Sequence, residues 1–220
     1  MSQVDVIAID GPVASGKGSV SSGVAKVLGF HVLDSGALYR LTALACMNGG
    51  VDLGAAGAAE KVAQSLNPLF KDGKIYLGGK DVTDAIRTEE VGLNASKIAA
   101  YPGVRKALFE LQRRSAVAPG LVADGRDMGS VVFPEARLKI FLTASAESRA
   151  KRRYNQLKEK GISSNIDDLV SDLKDRDRRD MERSVAPLKP AEGARILDSS
   201  DLTLQETIDQ VLAWYRESKA

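Results

Sequence analysis

The chain is poor in the residues that carry redox and acid–base chemistry, with one cysteine and one histidine in 220 residues. Cys46 alone excludes an intramolecular disulfide and fits a reducing compartment. It lies in the helical run Leu38–Met47 and reads as a small core residue. His31 sits in Phe30-His31-Val32-Leu33, the setting of a partly buried strand histidine. Two-histidine metal centres therefore lack ligands, and a Ser-His-Asp arrangement would have to run through this one ring. No apolar run is long enough to span a bilayer. An apolar strand begins within a few residues of Met1, which leaves no room for a signal peptide, so the expected address is the cytoplasm. A net charge of +2 gives no reason to expect wholesale binding to nucleic acid or an acidic membrane. The length suits one domain, with room for an insert.

What is present begins with Val4-Asp5-Val6-Ile7-Ala8-Ile9 followed by Asp10-Gly11-Pro12-Val13-Ala14-Ser15-Gly16-Lys17-Gly18-Ser19. This reads as a buried strand, a phosphate-binding loop and the start of a helix. Gly11 and Gly16 let the backbone curl so that N–H groups face phosphate oxygens, and Pro12 stiffens the turn. Lys17 supplies a mobile charge for the outer phosphates of a triphosphate, and the helix adds its positive end. The spacing is that of a P-loop, but the usual Ser or Thr after the lysine is Gly18. Ser19 stands one residue late for a magnesium ligand.

Strands alternate with helical patterns, which predicts an α/β fold with a parallel sheet and crossover helices. Strands are expected at Val4–Asp10, Phe30–Leu33, Leu121–Asp124, Leu138–Leu142 and Arg195–Asp198. Helices are expected at Lys17–Leu28, about Gly36–Met47, about Ser145–Lys160, and after a Thr203-x-x-Glu206 capping box. The stretch from about 51 to 103 breaks this rhythm. Leu69–Leu77 reads as a hairpin about Asp72-Gly73, and Gly78-Gly79 leads to a third strand at Lys80–Thr83. Helical patterns resume from Thr88. An antiparallel module in a parallel frame reads as an insert that builds a substrate pocket or merely decorates the fold.

Three further constellations carry chemistry. Asp34-Ser35-Gly36-Ala37-Leu38-Tyr39-Arg40 follows the second strand, where α/β sheets place ligands, and Asp34 or Ser35 can also cap a helix. Asp124-Gly125-Arg126-Asp127-Met128-Gly129 follows the third. Asp124 stands where P-loop proteins organise magnesium, usually through water, and Arg126 can grip a phosphate. Ile166, Leu169, Val170 and Leu173 form an apolar stripe that continues into Arg176, Asp180 and Arg183, with Asp177 and Arg179 at its margins. A stripe that turns charged is expected to leave the core and face a cleft. The preceding run of Arg149, Lys151, Arg152, Arg153, Lys158 and Lys160 reads equally as a mobile lid or a solvated basic face.

A donor loop plus separate arginine clusters implies two anionic ligands. An acceptor phosphate is already an anion at neutral pH and needs no histidine base, which leans toward a nucleoside monophosphate kinase. The ordered motifs G-P-V-A-S-G-K-G-S, L-D-S-G-A-L-Y-R, A-D-G-R-D-M-G-S-V-V-F-P and R-D-R-R-D-M-E-R-S-V-A-P-L resemble those of the bacterial cytidylate kinases over nearly the whole chain. Gly18 matches that family's own pattern.

The resemblance implies a P-loop kinase fold with a core of about 1–50 and 104–220. It adds a monophosphate-binding insert of about 51–103 and a helical lid of about 149–166. It implies γ-phosphoryl transfer from ATP to CMP or dCMP with Mg2+, in a cytoplasmic monomer that binds neither nucleic acid nor membrane. Gly11, Pro12, Val13, Ala14, Ser15, Gly16, Lys17, Gly18 and Ser19 would hold the ATP phosphates. Ser35 and Asp127 would read cytosine with Ser96, Arg105 and Arg183. Arg40 and Arg126 would hold the acceptor phosphate, Arg176 and Asp180 would meet the sugar, and Tyr39 would line the pocket. Lys17, Arg126, Arg153 and Arg183 form the implied catalytic set, with no direct protein ligand to the metal. Other readings are a same-fold kinase for another monophosphate or a small metabolite, and a GTP-binding switch. The switch would need Asn-Lys-x-Asp, which is absent.

Overall fold

The computed structural model describes residues 4–71, 73–159 and 161–218. Asp72 of the expected hairpin turn and Lys160 of the basic run lie outside the described residues. The chain forms two compact units, Met1–Leu33 with Ser115–Ala220, and Asp34–Arg114. The insert expected over about 51–103 falls within the second of these.

The first unit is built on a five-stranded parallel sheet ordered β2-β6-β1-β7-β8. Its strands are β1 (Asp5–Asp10), β2 (His31–Asp34), β6 (Gly120–Gly125), β7 (Leu138–Thr143) and β8 (Arg195–Asp198). Central strands of a parallel sheet are covered on both faces, so they read as unbroken apolar runs rather than alternating ones. That is why Val6-Ile7-Ala8-Ile9 and Leu121-Val122-Ala123 are buried without exception. His31 is exposed and shares a hydrogen bond with the Ala118 carbonyl at 3.1 Å.

Helix α1 (Lys17–Leu28) covers one face and stops at Gly29, whose left-handed backbone (φ 69°) suits a residue without a Cβ. Helix α8 (Leu204–Glu217) begins with the Thr203–Glu206 capping box and packs beside it. Ile7, Ile9, Val122, Ile140 and Leu142 of the sheet meet Val20 and Val24 of α1 and Ile208, Val211, Leu212 and Tyr215 of α8. Each such side chain contributes about 1.5–3 kcal/mol when fully buried. Helices α6 (Ala146–Glu159) and α7 (Ile166–Glu182) pack on each other. A π-helical turn, Met128–Val132, follows β6 and packs against β1.

The second unit holds α2 (Ser35–Asn48), α3 (Ala56–Gln64), α4 (Glu89–Ile98) and α5 (Pro102–Arg113). It also holds an antiparallel sheet of β3 (Pro68–Lys71), β4 (Lys74–Leu77) and β5 (Lys80–Asp81). The hairpin pairs Pro68 with Leu77 and Lys71 with Lys74. Helix α3 has no sequence signature. Its cap Ala55 makes no side-chain hydrogen bond, and its interior is small residues. It is held by packing, with Ala59 and Ala63 buried and α5 lying against it. No helix among the described residues is long and apolar enough to cross a membrane.

Tyr215 ties α8 to the sheet twice. Its ring meets Phe30 edge to face at 5.8 Å, and its hydroxyl donates to Asp5 Oδ2 at 2.6 Å. Arg137 Nε donates to the other oxygen of Asp5 at 2.7 Å. Tyr215→Phe keeps the ring contact and loses the hydrogen bond to a carboxylate. It should lower stability in urea unfolding by about 1.5 kcal/mol, with activity per folded molecule unchanged.

Candidate functional site

The loop from Gly11 to Ser19 joins β1 to α1 and is fixed from three directions. Gly11 passes so close to β7 that a Cβ there would stand 2.0 Å from the Leu142 carbonyl oxygen, so no larger residue fits. Ala14 takes a left-handed backbone (φ 58°), which costs a non-glycine residue about 1 kcal/mol and persists only where the surroundings over-determine it. Two cations hold the carbonyls on either side of it. Arg149 Nη1 donates to the Val13 carbonyl at 3.0 Å, and Arg152 Nη1 donates to the Ser15 carbonyl at 3.2 Å, both from α6. A trans peptide sets its N–H opposite its carbonyl, so the N–H groups of Ala14 and Gly16 are turned away from those arginines. N–H groups presented this way, ahead of a helix N-terminus, form an anion-binding concavity.

Lys17 is buried at the mouth of α1. Its Nζ donates to the Pro12 carbonyl at 2.7 Å and to Ser15 Oγ at 3.4 Å. Burial, then repulsion from Arg126, pulls its pKa down to about 7, against the pull of Asp124, Asp10 and Asp180. The last residue of β1, Asp10, is equally buried and accepts N–H bonds from Met128 and Gly129, each at 2.8 Å. Burial pushes its pKa up to about 6, against the lowering effect of those two bonds. Asp124 is buried at the end of β6, its Oδ2 3.7 Å from where a Cβ on Gly18 would stand.

The turn after β6 and helix α7 supply the next groups. Arg126 Nε donates to Asp180 Oδ2 at 2.9 Å and its Nη1 to the Gly125 carbonyl at 3.2 Å. Asp127 is buried. Arg183 ends α7 and donates from Nε to the Ala186 carbonyl at 2.6 Å, and Arg176 is half-buried two turns earlier. Along α7 the burial runs opposite to the expectation that the stripe leaves the core as it turns charged: Ile166 is exposed, Leu169 and Val170 are half-buried, and Leu173, Asp177 and Asp180 are buried, the two acids because each meets an arginine. Asp180 meets Arg126, and Asp177 accepts from Arg149 Nη2 at 2.6 Å, while Arg179 is exposed. Arg149 also donates to the Ala144 carbonyl at 3.0 Å.

The second unit gathers its own set. Asp34 caps α2 by accepting from the Ala37 N–H at 3.0 Å, and Ser35 is buried in the first turn. Arg105 of α5 lies 5.9 Å above the ring of Tyr39 and donates to the Ala99 carbonyl at 3.3 Å. Arg40 donates to the carbonyls of Ile86 and Thr88 at 2.7 and 3.2 Å. It runs beside Gly92, where a Cβ would stand 2.7 Å from its Nη2. Ser96 is half-buried on α4. Ser35, Tyr39, Arg40, Ser96 and Arg105 therefore share one unit, and Lys17, Arg126, Asp127, Arg176, Asp180 and Arg183 share the other.

Two features escape the sequence. In the basic run, Arg149 and Arg152 reach the loop, and Arg153 donates to Gln156 Oε1 at 3.4 Å. Arg149 is buried and Arg152 also bonds Ser199, so the start of α6 is a strut rather than a solvated face. Asp10, written in the loop motif, had no role there. The one available signal was a carboxylate ending an otherwise apolar strand.

A polyphosphate beside Lys17 favours the ammonium form and raises its pKa from about 7. Above pH 7 the free protein has lost this proton and the complex keeps it, so binding takes up a proton. Triphosphate affinity should fall as pH rises from 8 to 9, approaching tenfold. Calorimetry at pH 8 in two buffers of different ionisation enthalpy should show net proton uptake, and Lys17→Met should abolish it.

A family model described as cytidylate kinase matches residues 7–217. A cytidylate kinase of Cupriavidus necator is 56% identical over 215 residues, which cover 98% of this chain and 97% of that protein. One of Bordetella bronchiseptica is 58% identical over 211 residues, covering 96% and 95%. Among solved structures, an uncharacterized protein from Eubacterium ventriosum aligns over 98% of this chain and 99% of its own with a TM-score of 0.51 at 12% identity, a likeness of fold alone. The match spans nearly the whole chain, and the chain is a member of the cytidylate kinase family.

Proposed function

We propose that the protein transfers the γ-phosphoryl group of ATP to CMP or dCMP, giving ADP and CDP or dCDP. The observation that carries this reading is the full-length match to cytidylate kinases together with a loop whose carbonyls are bonded by Arg149 and Arg152. The N–H groups of that loop and Lys17 suit the β- and γ-phosphates of the donor. The acceptor phosphate is anionic at neutral pH, so no general base is required. The absence of a catalytic histidine from the motifs is consistent with that.

Roles follow from what each group offers. Gly11 to Ser19 hold the donor phosphates, and Lys17 takes up charge on the transferring group. Arg126, held in line by Asp180, and Arg40 are suited to the acceptor phosphate. Ser35, Ser96, Arg105, Asp127 and Arg183 offer the polar groups that a cytosine edge requires. Arg176 and Asp180 are suited to the sugar, with Tyr39 as an apolar wall. Arg153 lies in the expected lid and completes the cationic set. The monophosphate insert is taken as about 51–103 and the lid as about 149–166. Transfer then rests on positioning and electrostatics in a water-poor site.

The residues present fit a magnesium ion that arrives with the triphosphate. Among the described residues no group of three or more His, Cys, Asp or Glu side chains could cage a metal. Mg2+ commonly binds through one carboxylate, waters and substrate phosphates. Asp124, buried beside Gly18, would hold it through water, and the ion would neutralise charge between the β- and γ-phosphates. We place the reaction in the cytoplasm and the protein as a monomer, consistent with a single buried Cys46.

Lys17→Ala should lower kcat by about 10²–10³ in a coupled ADP-release assay, the range for removing one group that stabilises transition-state charge, with the thermal melt retained. CMP and dCMP should be turned over far faster than UMP or AMP. Equal rates on UMP would overturn the cytidine reading.

A further inference from the structure

The turn after β6 has an unusual division of labour. Asp127 stands at the N-cap position of the Met128–Val132 turn, where an aspartate ordinarily bonds the first free N–H groups with its own side chain. It makes no such bond here. The N–H groups of Met128 and Gly129 instead go to the two oxygens of Asp10, Oδ1 and Oδ2, each at 2.8 Å, from a strand more than a hundred residues earlier in the chain. Asp10 points to the face of β1 opposite Ile7 and Ile9, as strand alternation requires, and that face carries the turn. Asp10 is 3% exposed, so water cannot replace it.

The chemistry calls for a carboxylate. Two N–H donors arriving side by side need two acceptor oxygens. An asparagine would offer one oxygen and set its NH2 against the other N–H. The burial of Asp10 costs free energy, and it is tolerated only because both oxygens are used. What those bonds fix is the backbone of residues 127–129, and therefore the direction in which Arg126 and Asp127 leave it.

We propose that Asp10 is a positioning residue for the acceptor nucleotide: by capping the Met128–Val132 turn from β1, it relieves Asp127 of that task and sets Arg126 and Asp127 for recognition. The proposal rests on the functional reading above for its substrate, though not for its geometry. Asp10 acts on the nucleotide through the turn and not by direct contact.

The test is Asp10→Asn. In the coupled assay its KM for CMP should rise at least tenfold, while its KM for ATP, which feels only the lost attraction of Asp10 for Lys17, rises by a clearly smaller factor. Amide hydrogen exchange at Met128 and Gly129 should accelerate at least tenfold, with the amides of α1 unchanged. A merely structural role would lower the melting temperature without separating the two KM values. An equal rise in the KM for ATP, an unchanged KM for CMP, or unchanged exchange at Met128 and Gly129 would each overturn the proposal. Asp10→Glu is the second variant. It keeps both acceptors and displaces the turn by one methylene, so exchange stays slow while the KM for CMP rises. Failure of both variants to fold would assign Asp10 to the fold and also overturn it. Absence of CMP turnover by the unaltered protein would break the functional reading instead, and the exchange measurement would still decide the role of Asp10.

Discussion

An ammonium group taken out of water costs several kcal/mol unless other groups replace its hydration. Lys17 is such a group, and the structure around it is arranged to replace what it lost. The Pro12 carbonyl and Ser15 hydroxyl bond it directly, and Asp10, Asp124 and Asp180 attract it at longer range. Arg126 opposes them. The balance leaves a lysine poised near neutrality, whose proton is held best when a phosphate arrives. The three acids come from the ends of β1 and β6 and from the face of α7, so the sheet and α7 must be in place before the loop can be what it is.

The same logic of burial in exchange for partners explains the arginines. Arg149 is almost wholly enclosed, and three separate acceptors use its guanidinium: Ala144, Val13 and Asp177. It links α6, the phosphate loop and α7 through one planar group with its donors in fixed directions. Arg126 and Asp180 form a second such link between the β6 turn and α7. A lysine at either position could hold a charge, but it could not bond several acceptors in one plane. The loop is therefore held by charged side chains from behind, at the carbonyls on either side of its left-handed Ala14.

Asp10 shows how one acid can serve two loops. It ends β1, one residue before the glycine that turns into the phosphate loop, and its carboxylate holds the turn after β6. The neighbouring ends of β1 and β6 are adjacent in register, Asp10 opposite Gly125. Donor and acceptor motifs are thus joined through a single buried side chain. An aspartate in an apolar strand would be a defect if it had no donors to meet.

Much of this was written in the local sequence. Unbroken apolar runs marked the central strands because both their faces are covered. Gly29 and the Thr203–Glu206 box marked helix ends because backbone groups there need partners within a few residues. The loop was legible because Gly16 and Lys17 answer constraints that act within one turn, whereas the close pass of Gly11 to the Leu142 carbonyl is a tertiary constraint. Helix α3 was not, since it has no cap and depends on α5, an element distant in the chain. The roles of Arg149 and Arg152 against Lys158 or Arg153 were not legible either, because a basic helix looks alike on every face until something packs on it. The sequence alone determined the elements and the phosphate chemistry, which local spacing decides. Which charges are buried, and which partner each one meets, was decided only by the tertiary structure, because desolvation and ion pairing depend on residues brought together from distant parts of the chain.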